Sequence, residues 1–407
     1  MKREIDLLEK LEKELSLKEL QIKSLLTITQ AINDNVSADG LFNMYRSFLS
    51  WEMGIEKMIL FIKGSDKWQN ASSINVDKQR AKVLIDECLS YKRLHTIKET
   101  DHPELKLFDI VIPVFHKNSP IAYALIGGIK DKQDIYNKIQ FITTITNIIA
   151  VAIENKRLFK KQIRQERINK ELELAKEFQE MLIPENIPSS SKYEVDTIYM
   201  PHFNIGGDYL DFMQFSDDRF ALVIADISGK GVAAALLMSN FQAMLQSLIF
   251  QYRDLETFVF ALNQAVYRIT RSDKFITFFI AEIDVKQREI KYINAGHYPP
   301  MLLNNGKVEL LETGSTVIGA FENLPFLQES TVKISEDALL FCFTDGLVDL
   351  RNPEGEFYDE EMVKDFILKN RNLSASKFNK KLIKQLEEFK QTEEYVDDIA
   401  ILTTKIY

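Results

Sequence analysis

Only two cysteines occur in 407 residues, Cys88 and Cys342. They lie too far apart for a CxxC metal cluster or a disulfide framework, and Cys342 sits inside the apolar run "ALLFCFTDG". Both read as buried core thiols, in a chain suited to a reducing compartment. Glycine and proline are sparse, at 15 and 10 residues, and with 45% hydrophobic and 27% charged residues this excludes long disordered or low-complexity tracts. Histidine is scarcer still, with five residues and no cluster of the kind zinc requires. His95, His102 and His116 therefore read as surface histidines rather than metal or haem ligands. No run of 18 or more apolar residues is available to span a bilayer, and the charged opening "MKREIDLLEKLEKEL" is not a signal peptide. A cytoplasmic protein with no membrane partner is expected. A net charge of -9 argues against nucleic acid as the main partner.

The length favours two or three domains. Residues 1–35 carry Leu8, Leu11, Leu15, Ile22, Leu25 and Ile32 at heptad-like spacing, which predicts a helix that either pairs as a coiled coil or lies on its own domain. Residues 36–153 alternate helical and strand patterns, with "DIVIPVF" and "IAYALIGGI" as two apolar strands around a polar turn. Residues 154–188 form a charged linker helix closed by Pro184 and Pro188. Its candidate seam of Leu158, Lys161, Gln165, Ile168, Leu172, Ala175, Gln179 and Leu182 mixes polar with apolar positions, a pattern suited to switching between two packings or to a plain spacer. Residues 189–407 are rich in strands, with helices expected near 232–250, 255–270 and 374–389. The fold class is α+β, because strands and helices come in separate runs.

Chemistry concentrates in this last region. Asp208 in "GGDYLD", Asp226 in "VIADISGKG", Asp345 in "FCFTDG" and the pair Asp397 and Asp398 in "EYVDDIAIL" each stand at the end of an apolar strand. Singly, each reads equally well as a turn residue or a helix cap. Together at strand ends they can be aimed at one point, where mutual repulsion calls for a divalent cation. Oxygen ligation without histidine or cysteine favours Mg²⁺ or Mn²⁺, and two such ions about 3.5 to 4 Å apart can activate water against a phosphoryl group. Two rival motifs fare worse. "GKGVAA" satisfies G-x-G-x-x-A but lacks the repeated βαβ series of a dinucleotide fold. "GGDYL" begins like the GGDEF signature of nucleotide cyclases, yet Tyr209 and Leu210 replace its last two residues.

The ordered motifs "EFQEMLIPENIP", "YMPHFNIGGDYLDF", "IADISGKGVAAALLMS", "NAGHYPPMLL", "FTDGLVDLRN" and "DDIAILTTKI" resemble the PPM (PP2C-type) metal-dependent serine/threonine phosphatases, specifically the SpoIIE/RsbU-like branch. The resemblance spans about residues 175–407 and implies a β-sandwich with flanking helices and two metal ions at one end. It makes Asp226 the bridging ligand, with the Ile227 carbonyl on the second ion. It gives Asp208 to that ion, directly or through water, and Asp345 and Asp397 to the first, with Asp397 preferred over Asp398. Asp211 would be supporting or structural, and His297 structural or close to substrate. The implied substrate is a phosphoserine or phosphothreonine on a STAS-domain anti-anti-sigma protein. The region 36–153 resembles a GAF-like sensor, and dimerisation through the N-terminal and linker helices is expected. The segment 232–250, directly after Asp226, is the expected switch helix. The alternatives are a phosphatase-like scaffold with weak activity and a nucleotide cyclase.

Overall fold

The computed structural model describes residues 2–64, 67–77, 84–129, 135–184, 187–188, 190–202, 205–252 and 254–407; within the first helix the side chains of residues 2–10, 13, 14 and 17 lie outside the description. Leu8 of the heptad-like stripe, part of the segment "KVLIDECLSYK" and Asn204 of "NIGGDYLDF" fall among the residues not described. The chain forms two compact units, Met1–Glu166 and Arg167–Tyr407. A single helix, Ile135–Glu180, runs through the division.

In the first unit, helices α1 (Lys2–Asn33) and α2 (Ala38–Ser47) precede an antiparallel sheet of β1 (Lys57–Lys63), β2 (Trp68–Ile74), β3 (His95–Thr96), β4 (Ile110–His116) and β5 (Ser119–Gly127). The strand order is β2-β1-β5-β4-β3. The expected β4–β5 pair forms, with His116 opposite Ser119 at its tight turn. Because side chains alternate along a strand, Met58, Leu60, Ile110, Ile112, Ala124 and Ile126 face a helical core with Leu41, Tyr45 and Ile145. Ile59, Phe61, Val111, Tyr123 and Leu125 face a second core containing Cys88. In α1, Leu25, Ile28 and Ile32 pack on this unit, whereas Leu11, Leu15 and Ile22 stay exposed. His95 is half-buried rather than superficial, bonded to Asp101 at 2.8 Å and stacked on Tyr91.

The third helix, α3 (Ile135–Glu180), continues into the second unit. That unit is a sandwich. Beside the strands that position the site it contains β6 (Tyr193–Met200), β10 (Glu289–Ala295), β11 (Met301–Asn304), β12 (Lys307–Leu310), β13 (Gly314–Ser315) and β14 (Ser330–Lys333); one sheet has the order β13-β10-β9-β8-β7, with β14 also paired to β10, and the other has β12-β11-β15-β16-β6. The strands that position the site are β7 (Tyr209–Gln214), β8 (Arg219–Ile227), β9 (Ile276–Asp284), β15 (Ala338–Phe343) and β16 (Ile399–Ile406). Leu210, Leu222, Ile224 and Phe279 from one sheet meet Leu340, Cys342 and Leu402 from the other in a shared core. Helices α4 (Val232–Ile249) and α5 (Leu255–Thr270) cover the outer face of the first sheet. Helices α6 (Glu360–Asn370) and α7 (Ala375–Lys390) cover that of the second. Both cysteines are buried and free.

Helix α4 is long and apolar enough, by length and composition, to cross a membrane, although no continuous apolar run exists in it. Ser239, Asn240, Gln242, Gln246 and Ser247 interrupt it. Its Ala234, Leu237, Met238, Phe241 and Leu245 pack on the sheet, so its apolar content serves the core of the sandwich.

Candidate active site

Strand direction brings the acidic groups together. Antiparallel pairing sets Tyr209 opposite Ala225, so Asp208 at the start of β7 and Asp226 near the end of β8 emerge at the same end of one sheet. Likewise Phe343 pairs with Ile401, which puts Asp345, just beyond β15, and Asp397 and Asp398, just before β16, at one end of the other sheet. Thr344 joins the two ends. Its hydroxyl accepts from the Ala400 N–H at 2.9 Å and donates to Asp208 Oδ2 at 2.6 Å. The hydroxyl proton is directed at Asp208, a buried carboxyl group, and this bond fixes that side chain's orientation.

The electrostatics match this crowding. Asp208 is buried and its pKa lies well above the usual carboxylate range, first because of burial and then because of the charge of Asp226, while the Thr344 hydrogen bond opposes the shift. Asp226 is pushed up to about 7, by burial and then by Asp345 and Asp397, and it shares a hydrogen bond with Asp208. Asp345 is raised by burial, then by Asp349 and Asp397. Burial and mutual repulsion thus disfavour joint ionisation of these three carboxyls.

Close backbone approach completes the arrangement. A β carbon on Gly207 would lie 3.0 Å from the Ile227 carbonyl oxygen and 3.7 Å from Asp226 Oδ1. One on Gly206 would lie 2.7 Å from Asp398 Oδ2. The two glycines therefore press the loop before Asp208 against both the Asp226 turn and the Asp398 carboxylate. Asp398 accepts from the His202 and Gly207 N–H groups at 2.7 and 2.6 Å. Asp397 instead pairs with Lys230 at 2.8 Å. Gly229 and Gly231, at φ of +104° and +72°, carry the turn that presents Lys230. Among the described residues no three His, Cys, Asp or Glu side chains form a ready cage for an ion. The donor set is nonetheless entirely oxygen, as a hard divalent cation requires.

Asp211 does not join the cluster. It accepts from the Tyr209 hydroxyl at 2.5 Å and from Gln246 of α4 at 3.2 Å, so it ties the strand to the helix. His297 lines a cleft of about 210 Å³ with Asp226, Thr277, Gly296, Tyr298 and Asp345. Its backbone N–H donates to Asn294, its Nδ1 pairs with Thr277 at 2.9 Å, and burial pushes its pKa down to about 4. A ring held this way fits the structural reading of His297. Its Nε2 is buried without a hydrogen-bond partner.

Two participants were not identified from sequence. Thr344 stands inside "FTDG", where only the Asp attracted notice. Gln179 sits on α3 at what reads as a seam position, yet it is only 5% exposed and closes a two-way bond with Gly206. Its Nε2 donates to the Gly206 carbonyl at 2.7 Å, and the Gly206 N–H donates to its Oε1 at 3.0 Å. The helix thereby grips the loop that carries Asp208.

Comparison with known proteins agrees with this geometry. Residues 216–407 match the family described as Stage II sporulation protein E (SpoIIE), a match that begins just after Asp208. Phosphoserine phosphatase RsbP of Bacillus subtilis is 28% identical over 243 residues, 58% of this chain and 58% of that protein. Protein IcfG of Synechocystis is 26% identical over 231 residues, 49% of this chain and 36% of that protein. The chain thus spans less than two thirds of the length of both relatives. The structure of the SiaA-PP2C domain of Pseudomonas aeruginosa aligns with a TM-score of 0.54 at 18% identity, covering 60% of this chain and 99% of that domain. Residues 216–407 thus match the SpoIIE family, and the two-sheet unit with its flanking helices carries the PP2C fold.

Proposed function

We propose that this chain is a sensor-regulated, divalent-metal-dependent phosphatase that hydrolyses phosphoserine or phosphothreonine on a partner protein. The observation that carries the reading is the convergence of acidic strand ends from both sheets at one end of the sandwich. Asp226 is assigned to bridge two ions, Mn²⁺ or Mg²⁺. Asp208 and the Ile227 carbonyl are assigned to the second ion, and Asp345 and Asp397 to the first. Asp398 is better placed to hold the glycine loop, given its two backbone donors. When bound, the ions supply neutralising charge for the phosphoryl group and a water activated for attack. The chain's own contribution is orientation: Thr344 aims Asp208, and Gly207 allows the Asp208 loop to reach the Ile227 carbonyl.

The phosphoserine phosphatase name of RsbP supports the substrate class. A STAS-domain anti-anti-sigma protein is the proposed partner. The first unit is assigned a GAF-like sensing role, and exposed Leu11, Leu15, Leu158 and Ile168 support homodimerisation through the N-terminal and linker helices. The PP2C fold leaves the cyclase alternative without support. The test is release of phosphate from a phosphorylated STAS protein by the full chain with Mn²⁺, with and without excess EDTA. Chelator-sensitive release is expected, and metal-independent release or none would refute the assignment.

The grip of α3 on the active-site loop gives a second expected result. Gln179→Ala leaves the Gly206 N–H and carbonyl without their buried partner. Activity of the full chain should fall by about tenfold, the equivalent of one lost hydrogen bond of about 1.4 kcal/mol, while the thermal melt moves by only a few degrees. Unchanged activity would show that the contact is mere packing.

A further inference from the structure

Lys230 stands where the proposed cation must act. Its Nζ lies 2.8 Å from Asp397 Oδ2 and 3.4 Å from the Val396 carbonyl. The turn that carries it begins three residues after Asp226, and its two flanking glycines have positive φ, so the backbone is bent to bring this side chain across from the β8 end to the β16 end. The pair is partly sheltered, with the Asp397 side chain 33% exposed and that of Lys230 51% exposed. One lysine therefore neutralises the carboxylate assigned to the first ion, inside a cluster that otherwise repels itself.

We propose that Lys230 is a built-in competitor for the cation, occupying Asp397 until a divalent ion displaces it, so that metal uptake is an exchange of one positive group for another. This rests on the metal-dependent reading above. Two features distinguish it from a general effect of positive charge. Lys230 reaches a specific carboxylate oxygen at hydrogen-bond distance. Lys274, by contrast, places its ammonium against the same turn, 2.6 Å from where a Gly229 β carbon would stand, and among the described residues it makes no hydrogen bond to the acidic strand ends. If only the local field mattered, the two lysines would weigh similarly on an incoming cation, because Coulomb repulsion falls slowly over a few ångströms.

The experiment is calorimetric titration of Mn²⁺ into the chelator-treated full chain, for wild type, Lys230→Gln, Lys230→Arg and Lys274→Gln. Circular dichroism melts verify that each variant is folded. Breaking a partly exposed ion pair that competes with the ligand should tighten the first Mn²⁺ about fivefold in Lys230→Gln. Lys230→Arg, which keeps a cation on Asp397, should bind no more tightly than wild type, and Lys274→Gln should change affinity by less than about twofold. Equal tightening in Lys274→Gln and Lys230→Gln would overturn the proposal in favour of a diffuse charge effect. Weaker binding in Lys230→Gln would overturn it by showing that the lysine supports the metal. No Mn²⁺ binding by any of the four proteins would fail the metal-dependent reading itself, and the exchange with it.

Discussion

Asp226→Asn should abolish phosphatase activity, by about a thousandfold or more, and yet stabilise the metal-stripped protein. The first half follows from position. Asp226 lies at the centre of the cluster, hydrogen-bonded to Asp208 and within the charge of Asp345 and Asp397. An amide cannot bridge two cations as a carboxylate can, and loss of one transition-state electrostatic group commonly costs 10²- to 10³-fold. The second half follows from linkage. The folded-state pKa of about 7 lies above the ordinary aspartate value, so the native state holds a proton that the unfolded chain has released. Below about pH 4 both states are protonated and the group contributes nothing. As pH rises from there through 7 the native state loses ground, and above 7 the penalty is complete. In excess EDTA at pH 8, Asp226→Asn should therefore melt a few degrees above wild type, with the gap closing near pH 4. A variant that melts lower at pH 8 would show that Asp226 is not under the repulsion described.

Gly346→Ala should be strongly destabilising and should disturb the metal site with it. Gly346 follows Asp345 in "FTDG". A β carbon there would stand 2.0 Å from the Asp398 carbonyl oxygen and 3.3 Å from Ile399 Cγ1. The first obstacle is backbone at the start of β16, which cannot rotate away as a side chain can. The ends of β15 and β16 would have to part, breaking the Thr344 N–H bond to the Ala400 carbonyl and misplacing Asp345 and Asp397 together. Overpacking of this kind costs about 3 kcal/mol or more, and a melting temperature lower by about 5 to 10 °C is expected for a domain of this size. A thermal melt with parallel Mn²⁺ titration checks both effects. A stable variant with unchanged metal affinity would contradict the close approach.

The same residue shows how far the sequence could be read. A Gly after an Asp suggests a turn, and so Gly346 was indistinguishable from ordinary turn chemistry. Its real constraint is a contact with Asp398, 52 residues away in the chain, which depends on the β15–β16 register. The acidic strand ends were legible because apolar runs mark strands and their polar termini mark the sheet's edge, a local signal. Thr344 was not, since its role needs Ala400 on one side and Asp208 on the other. Gln179 was misleading for a related reason: the heptad pattern of a charged helix describes spacing, and spacing is silent about which surface a position meets. Helix α6 was overlooked because its segment "EEMVKDFILKN" is charged at the start and its four buried residues, Val363, Phe366, Ile367 and Asn370, include a polar one. Strands β12, β13 and β14 have four residues or fewer, too short for alternation to show. Asp211 and Asp208 share one motif and face different neighbours because three residues along a strand reverse the side.

The central claim is that the carboxylates from both sheets form one site for divalent cations. Calorimetric titration of Mn²⁺ into the chelator-treated full chain tests it most directly. Saturable binding of two ions per chain in wild type, with loss of at least one in Asp226→Asn, is the predicted result. A wild-type chain that binds no Mn²⁺, or an Asp226→Asn variant that binds two ions with unchanged affinity, would contradict it.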